Sequence, residues 1–333
     1  MRDHSLSRII ALARAGSTSR AWREFVAAGH DADTGDAAAL AVKGRLLKDR
    51  ALAAAGADRN AFYAAAADAY RQAAALTRSS YHGINAATLS LLGGEPDAAQ
   101  LVAGEVLELL RDQPEEGETP YWRVATRAEA LLLLGRDYEA STSFVEAIAL
   151  APEAWEDHAS TLRQFALILD AQGKDSAWLD AHRPPRSLHF GGHMSFDAGV
   201  SRREHLDRKI AALLEEEKVG FGYGALAAGA DIIVAEALVA RGAELHAVLP
   251  GGAEAFAAVS VDPFGAVWRR RFDALLDRAA TVRAVRPLGA PPDPETIALA
   301  DEIAMGAAAM NARRLESQAL QLLVADADAG ERE

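Results

Sequence analysis

Three short stretches between residues 191 and 252 carry the residue types that hold small polar ligands. They are Gly191-Gly192-His193, then Gly222-Tyr223-Gly224 with Gly229 and Asp231, then Pro250-Gly251-Gly252. Clustered glycines permit tight turns and let backbone N–H groups approach a phosphate, best of all where a helix begins. His193 can donate to a phosphate or exchange a proton, with helix capping or plain exposure as the competing role. Asp231 falls in the first turn of a helix, where a carboxylate suits the helix dipole as readily as it would the hydroxyls of a ribose. Glu236 is the sole charge between Ile232 and Val239. It either faces solvent or enters a pocket, where burial would raise its pKa and fit it for general acid work. Tyr223 can stack on a base or pack against a neighbouring helix. The catalytic candidates are therefore Glu236, His193 and Asp231, and the three stretches together form the candidate ligand site.

Other groups carry less. Arg269-Arg270-Arg271 reads as a solvated helix face, with phosphate binding as its lesser alternative. His4, His30, His82, His158, His182, His205 and His246 show no metal-ligand spacing with carboxylates, so no metal site is expected. Cysteine is absent, which removes disulfides, thiolate metal sites and a cysteine nucleophile. No serine lies in a G-x-S-x-G context, which argues against an α/β-hydrolase.

The elements that must position these residues form a βαβ unit. Residues 219–221 suit a buried strand and the glycines at 222 and 224 a turn. Ile232 to Val239 repeats at helical spacing, and Gly242 closes the helix as a left-handed C′ residue. Residues 245–249 read as a second buried strand ending in Pro250-Gly251-Gly252. Such a unit implies a parallel sheet, whose ligands sit beyond the carboxyl ends of the strands. Further strands are expected at 188–194, 281–285 and 319–325, and helices at 203–217, 264–280 and 294–316. Five strands alternating with helices make a Rossmann-like α/β domain over 187–326, followed by an acidic tail at 327–333.

The first half reads differently. From residue 37 to about 173 it is helix after helix, without strand-like alternation. In 121–152 Gly135 ends one helix, Ala140, Phe144 and Ala147 line the next, and Pro152 stops it. That spacing is the tetratricopeptide pattern, in which small residues admit a paired helix and an aromatic fills the groove. Gly94, Ala99 and Ala103 form a weaker copy, and Ala66, Tyr70 and Ala73 a third, with an insertion at 113–119. An irregular alanine-rich bundle is the competing reading. Stacked helix pairs expose a concave surface for proteins or peptides, so residues 1–180 suggest a protein partner rather than chemistry. Residues 180–187, with Pro184-Pro185, read as the linker.

The chain has 333 residues and a net charge of −13, so broad capture of nucleic acid is disfavoured. It shows no signal peptide or run of membrane-spanning length, which reads as a cytoplasmic protein. A homo-oligomer stays open.

Two resemblances follow from these motifs. Tyr81-His82-Gly83-Ile84-Asn85-Ala86-Ala87-Thr88-Leu89, together with 121–152, resembles the tetratricopeptide-like TRAF-binding region of the apoptosis-signal-regulating kinases. No kinase motif accompanies it, so the resemblance implies the scaffold alone. Within it Asn85 is expected to satisfy backbone groups between helices, and Tyr81 to pack there. Phe190-Gly191-Gly192-His193 and Gly222 to Leu238 resemble the SLOG superfamily, which includes DNA-processing protein A and the LOG-type nucleosidases. That resemblance implies a Rossmannoid core binding a nucleotide, a nucleotide-derived signal or, in one branch, single-stranded DNA, with Gly191, Gly192 and His193 in the first loop and Gly222, Gly224, Gly229 and Asp231 in the second. The LOG pattern P-G-G-x-G-T-x-x-E is incomplete, because Ala253, Glu254 and Ala255 follow Gly252. The main expectation is a signalling protein that joins a helical scaffold to a nucleotide-sensing domain. The alternatives are a hydrolase of nucleotide or NAD-type N-glycosidic bonds, or a pure interaction module.

Overall fold

The computed structural model describes residues 2–32, 35–112, 119–194, 200–286, 289 and 291–325. The chain divides into two compact units, Met1–His182 and Arg183–Glu333. The expected insertion at 113–119 and the acidic tail lie almost wholly outside the described residues, Thr119 excepted.

The first unit is all helix: α1 (Arg2–Arg14), α2 (Thr18–Ala27), α3 (Ala37–Ala53), α4 (Gly56–Thr77), α5 (Ser80–Leu92), α6 (Pro96–Asp112), α7 (Pro120–Leu133), α8 (Asp137–Leu150) and α9 (Trp155–Ala171). Asp36 starts α3 by accepting from the amides of Ala38 and Ala39 at 2.9 and 3.3 Å, and Thr119 caps α7 through the amide of Trp122. Consecutive helices pair as α3/α4, α5/α6 and α7/α8. The small and aromatic residues expected at the pair interfaces (Ala66, Tyr70, Ala73, Ala99, Ala103, Ala140, Phe144 and Ala147) are all buried. Gly44 of α3 has a packing reason, since a Cβ there would stand 2.5 Å from the ring of Tyr70. The sequence pattern starts these helices at residue 37, whereas α1 and α2 precede it and bury Ile9, Ala21 and Phe25 against α3. Two expectations within the α5 motif change. Asn85 donates to the carbonyl of Tyr81 one turn back in its own helix, and Tyr81 stands half exposed with its ring edge-on to Tyr70.

The second unit contains β1 (Arg186–Gly192), α10 (Val200–Glu216), β2 (Val219–Gly224), α11 (Ala230–Ala240), β3 (Glu244–Gly251), α12 (Ala253–Ser260), α13 (Ala266–Arg278), β4 (Thr281–Arg286), α14 (Pro294–Arg314) and β5 (Ala319–Val324). The strands form one parallel sheet in the order β4-β3-β2-β1-β5. From β1 to β4 the chain steps in one direction, so right-handed crossovers place the intervening helices on one face. The last crossover runs back over the whole sheet, and α14 packs on all five strands. Its stripe Ala300, Ala304, Ala308 and Ala312 is buried, and side chains this small bring the helix close to the sheet. Two polar contacts fix its position on β1: Asn311 donates to Ser187 at 3.0 Å, and His189 meets Asp301 at 2.9 Å. Val324, at the end of β5, lies beside Gly192 of β1. Strand β5 enters on the far side of β1, and ligands of open parallel sheets bind beyond the carboxyl ends of the strands.

Two boundaries differ from the sequence reading for a physical reason. Gly222 and Gly224 lie inside β2 rather than in a turn, and Pro250-Gly251 lie inside β3. A Cβ on Gly222 would come within 2.3 Å of Leu238, and one on Gly224 within 2.5 Å of the Phe190 carbonyl. These two glycines bring helix and neighbouring strand close. A glycine read as a loop residue is here a packing residue.

Candidate functional site

The carboxyl edge of the sheet gathers the ends of β1, β2 and β3. After Gly192 the chain is tied down. The amide of His193 donates to the Val324 carbonyl at 3.0 Å, and the His193 carbonyl accepts from Ala230 at 3.3 Å. Met194 forms an antiparallel bridge with Gly229. Gly229 caps α11 at φ +116°, backbone that L side chains rarely adopt. The loop after β1 is thereby fastened to the start of α11, and the His193 side chain is exposed there.

Beneath this fastening lies Asp231, buried in the first turn of α11. Its Oδ2 accepts from the amide of Ala227 at 3.2 Å, and the backbone of Gly192 also bonds to the carboxylate. The other oxygen, Oδ1, is buried without a hydrogen-bond partner. Burial is the largest influence and pushes the Asp231 pKa up to about 7, against the backbone hydrogen bonds of Ala227 and Gly192; the charge of Asp301 pushes the same way. An unmatched oxygen of this kind costs about 1–3 kcal/mol.

Asp301, on α14, approaches the adjacent Gly191 from the opposite face of the sheet. Its Oδ1 stands 3.9 Å from where a Cβ of Gly191 would be. The buried His189 orients it. Gln321 presents its amide nitrogen to His189 Nδ1 at 3.2 Å, so Nδ1 accepts and Nε2 donates to Asp301. Asp301 itself is more than half exposed, leaving its carboxylate open to a ligand. Neither Asp301 nor His189 is a candidate in the sequence reading. A histidine in mid-strand was the available signal, since a buried ring must find partners.

The remaining candidates stand apart from this pair. Glu236 lies five residues beyond Asp231, about 140° further round the helix, and takes a two-pronged ion pair from Arg271 at 2.8 and 2.6 Å. Arg271 also stacks on Trp268 at 4.2 Å, so Glu236 joins α11 to α13. Glu236→Gln is expected to cost at most about 1 kcal/mol, as partly exposed pairs do, and to leave ligand affinity unchanged; urea denaturation and calorimetry would check both. Tyr223 is buried and stacked on His246, with ring centroids 4.5 Å apart, and burial pushes its pKa up to about 12. Its ring faces a neighbouring strand. Arg269 is held by Glu254, Asp273 and Asp262, which leaves little of its charge for a phosphate. Gly252 is the N-cap of α12, so Pro250-Gly251-Gly252 delivers the chain from β3 into a helix N-terminus. The structure thus brings together Gly191, Gly192, His193, Gly229 and Asp231, adds Asp301, and separates Glu236 and Tyr223 from them. Among the described residues there is no group of three or more His, Asp or Glu able to hold a metal ion, and no helix long and apolar enough to cross a membrane.

Comparison with known families bears on the helical unit. Residues 6–90 match the family model Tetratricopeptide Repeats-Sensor, TPR-S. The match spans α1 to α5, and the same helix pairing continues through α6 to α8. The protein thus joins a TPR-S-type helical region to a five-stranded parallel α/β unit. No curated protein matches the chain.

Proposed function

We propose that the protein is a two-part sensor in which the helical unit is a protein-interaction scaffold and the α/β unit binds a nucleotide-derived small molecule. The observation that carries the ligand reading is the unfilled Oδ1 of Asp231 at the carboxyl end of β1. A hydroxyl donor of a ligand would give this buried acceptor the partner that the protein's own groups do not supply. The two carboxylates around Gly191-Gly192 favour a hydroxyl donor there and oppose a phosphate, so the ribose belongs at β1. A phosphate would lie toward the N-terminus of α12, two strands away across the sheet, about 10 Å at ordinary strand spacing. The resemblance to SLOG domains, carried by Phe190 to His193 and Gly222 to Leu238, supports a nucleotide-type ligand. The TPR-S match, the resemblance of residues 81–89 to a TRAF-binding region and the paired helices support the scaffold.

The test uses the proton on Asp231. A hydroxyl donating to Oδ1 favours the ionised carboxylate, so binding below about pH 7 releases a proton. Calorimetry with ADP-ribose or adenosine, in two buffers of different ionisation enthalpy at pH 6, is expected to show that release. Asp231→Asn is expected to abolish it and to weaken binding at least about tenfold, roughly 1.4 kcal/mol. Binding by parent and variant alike, without proton release, would remove Asp231 from the site.

One observation favours the hydrolytic reading. Asp231 and Asp301 are two carboxyl groups in unlike surroundings, one buried with a raised pKa and one exposed, the division of labour that glycosidic cleavage uses. Free base released from NAD or a nucleotide by the parent, and lost in both Asp231→Asn and Asp301→Asn, would establish it.

A further inference from the structure

In a regular array of helix pairs the first helices, here α3, α5 and α7, would line the inner surface and leave one face of each open as the binding groove. In α5 that face is closed. Gly83, Ile84 and every residue from Ala86 to Ser90 are buried. Ala86 and Leu89 are covered by α3 and α4 and Gly83 by Val106 of α6, whereas Ile84 and Ala87 meet α9, which packs against both α5 and α7. It sets Leu162, Phe165, Ile168 and Leu169 into a core shared with Ile84 and Ala87 of α5, Ala128 and Leu132 of α7, and Phe144 of α8. A repeat helix that merely extended the array would meet its nearest neighbours alone. By reaching α5, two pairs back, α9 lies along the inner surface.

The centre of this seat is polar. Lys48 of α3 donates to Gln164 Oε1 at 2.9 Å. The amide of Gln164 donates to Glu129 of α7 at 3.1 Å, and Thr88 of α5 donates to the same carboxylate at 2.6 Å. Gln164 thus serves an ammonium and a carboxylate together. Around this contact stand Arg45 and Asp49 of α3 and Arg163 of α9. Buried charges linked in this way fix register more than they add stability, and apolar groups of the same size would hold the helix harder. At the end of α9 the amide of Gln172 bonds to the Leu132 carbonyl, but its oxygen is buried without a partner. The seat is specific and imperfect.

We infer that α9 is a displaceable intramolecular ligand of the repeat groove. The partner that replaces it is an amphipathic helix with large apolar side chains at the spacing of Leu162, Phe165 and Leu169 and a neutral amide at the position of Gln164. The scaffold reading supplies the partner; the seating of α9 stands on the packing alone.

Native-state hydrogen exchange on the full chain tests the seat. Amides of α9 are expected to exchange through their own opening, with protection at least tenfold below that of α5 and α7. Gln164→Leu, which strands Lys48 and Glu129, is expected to lower α9 protection a further tenfold and leave α4 and α6 unchanged. A labelled peptide of residues 153–173 is expected to bind the Phe165→Ala chain at least tenfold more tightly than the parent. If α9 in the parent exchanges only together with α5 and α7, it is a fixed part of the core and the inference fails, whatever the variants do. That result would leave the scaffold reading standing on the outer surface of the repeats.

Discussion

Asp231→Asn is expected to flatten the pH dependence of folding in the α/β unit. In the folded protein the carboxyl of Asp231 ionises at about 7 rather than near 3.8, so between those values the folded state holds a proton that the unfolded chain has released. Stability from this group is complete below about pH 4 and falls as pH rises through the folded value. Roughly three pKa units correspond to about 4 kcal/mol, little reduced by solvent because the side chain is buried. Asparagine carries no such proton. The difference in unfolding free energy between parent and variant should therefore shift in favour of the variant by about 4 kcal/mol from pH 4 to pH 8. Taking the difference cancels the other carboxylates, many of which act in the opposite sense. Urea denaturation at four or five pH values, read by amide exchange within β1 and β2, would measure it. A difference that stays constant with pH would mean that the folded carboxyl titrates as an ordinary aspartate. The same experiment with saturating ligand is informative: a donor on Oδ1 lowers the folded pKa and returns part of the lost stability above pH 7.

Adjacent glycines are expected to answer alanine substitution in opposite ways. At Gly192 a Cβ would meet the Val324 carbonyl at 2.5 Å and the Ala230 side chain at 2.7 Å. Neither can yield cheaply, because one is the backbone of the neighbouring strand and the other opens α11. Gly192→Ala should destabilise the α/β unit by about 2–3 kcal/mol, the scale of overpacking in a tight core, and should loosen the fastening between β1 and α11. At Gly191 the nearest groups to a Cβ are the Asp301 carboxylate and Leu323, both at 3.9 Å, an ordinary contact. Gly191→Ala should keep or slightly raise stability, since it narrows the unfolded chain's freedom. It adds a methyl group beside the Asp301 carboxylate, so a weaker ligand affinity with unchanged stability would place the ligand at Gly191. Thermal unfolding of the two variants and the parent, followed by calorimetry with adenosine, separates the roles. Equal losses of stability at both positions would mean that the edge is packed throughout and has no room for a ligand.

These two positions also mark the limit of what sequence pattern conveys. Glycine at 191, 192, 222 and 224 reads as one cluster, because composition registers the absence of a side chain but not what fills the space. Three of the four have a neighbour within 2.5 Å of the missing Cβ, and only Gly191 would hold a Cβ at ordinary contact distance.

The sequence by itself determined the division into a helical half and an α/β half, and the five strands with most of their helices. Those features rest on local periodicity and on prolines and glycines whose effect is felt within a few residues. The interfaces of the helix pairs were legible for the same reason, since small residues at a fixed spacing such as Ala140, Phe144 and Ala147 define a helix face without knowledge of the partner. Tertiary structure alone decided the site. Asp301 lies seventy residues beyond Asp231 in the chain, and only the return of α14 across the sheet, from β4 to β5, brings it to Gly191. The unmatched oxygen of Asp231 depends on where two loops fall around it. Glu236 looked available because its ion-pair partner, Arg271, sits on a helix whose packing against α11 no local pattern announces. Long-range partners are set by strand order and helix docking, which a one-dimensional pattern does not encode.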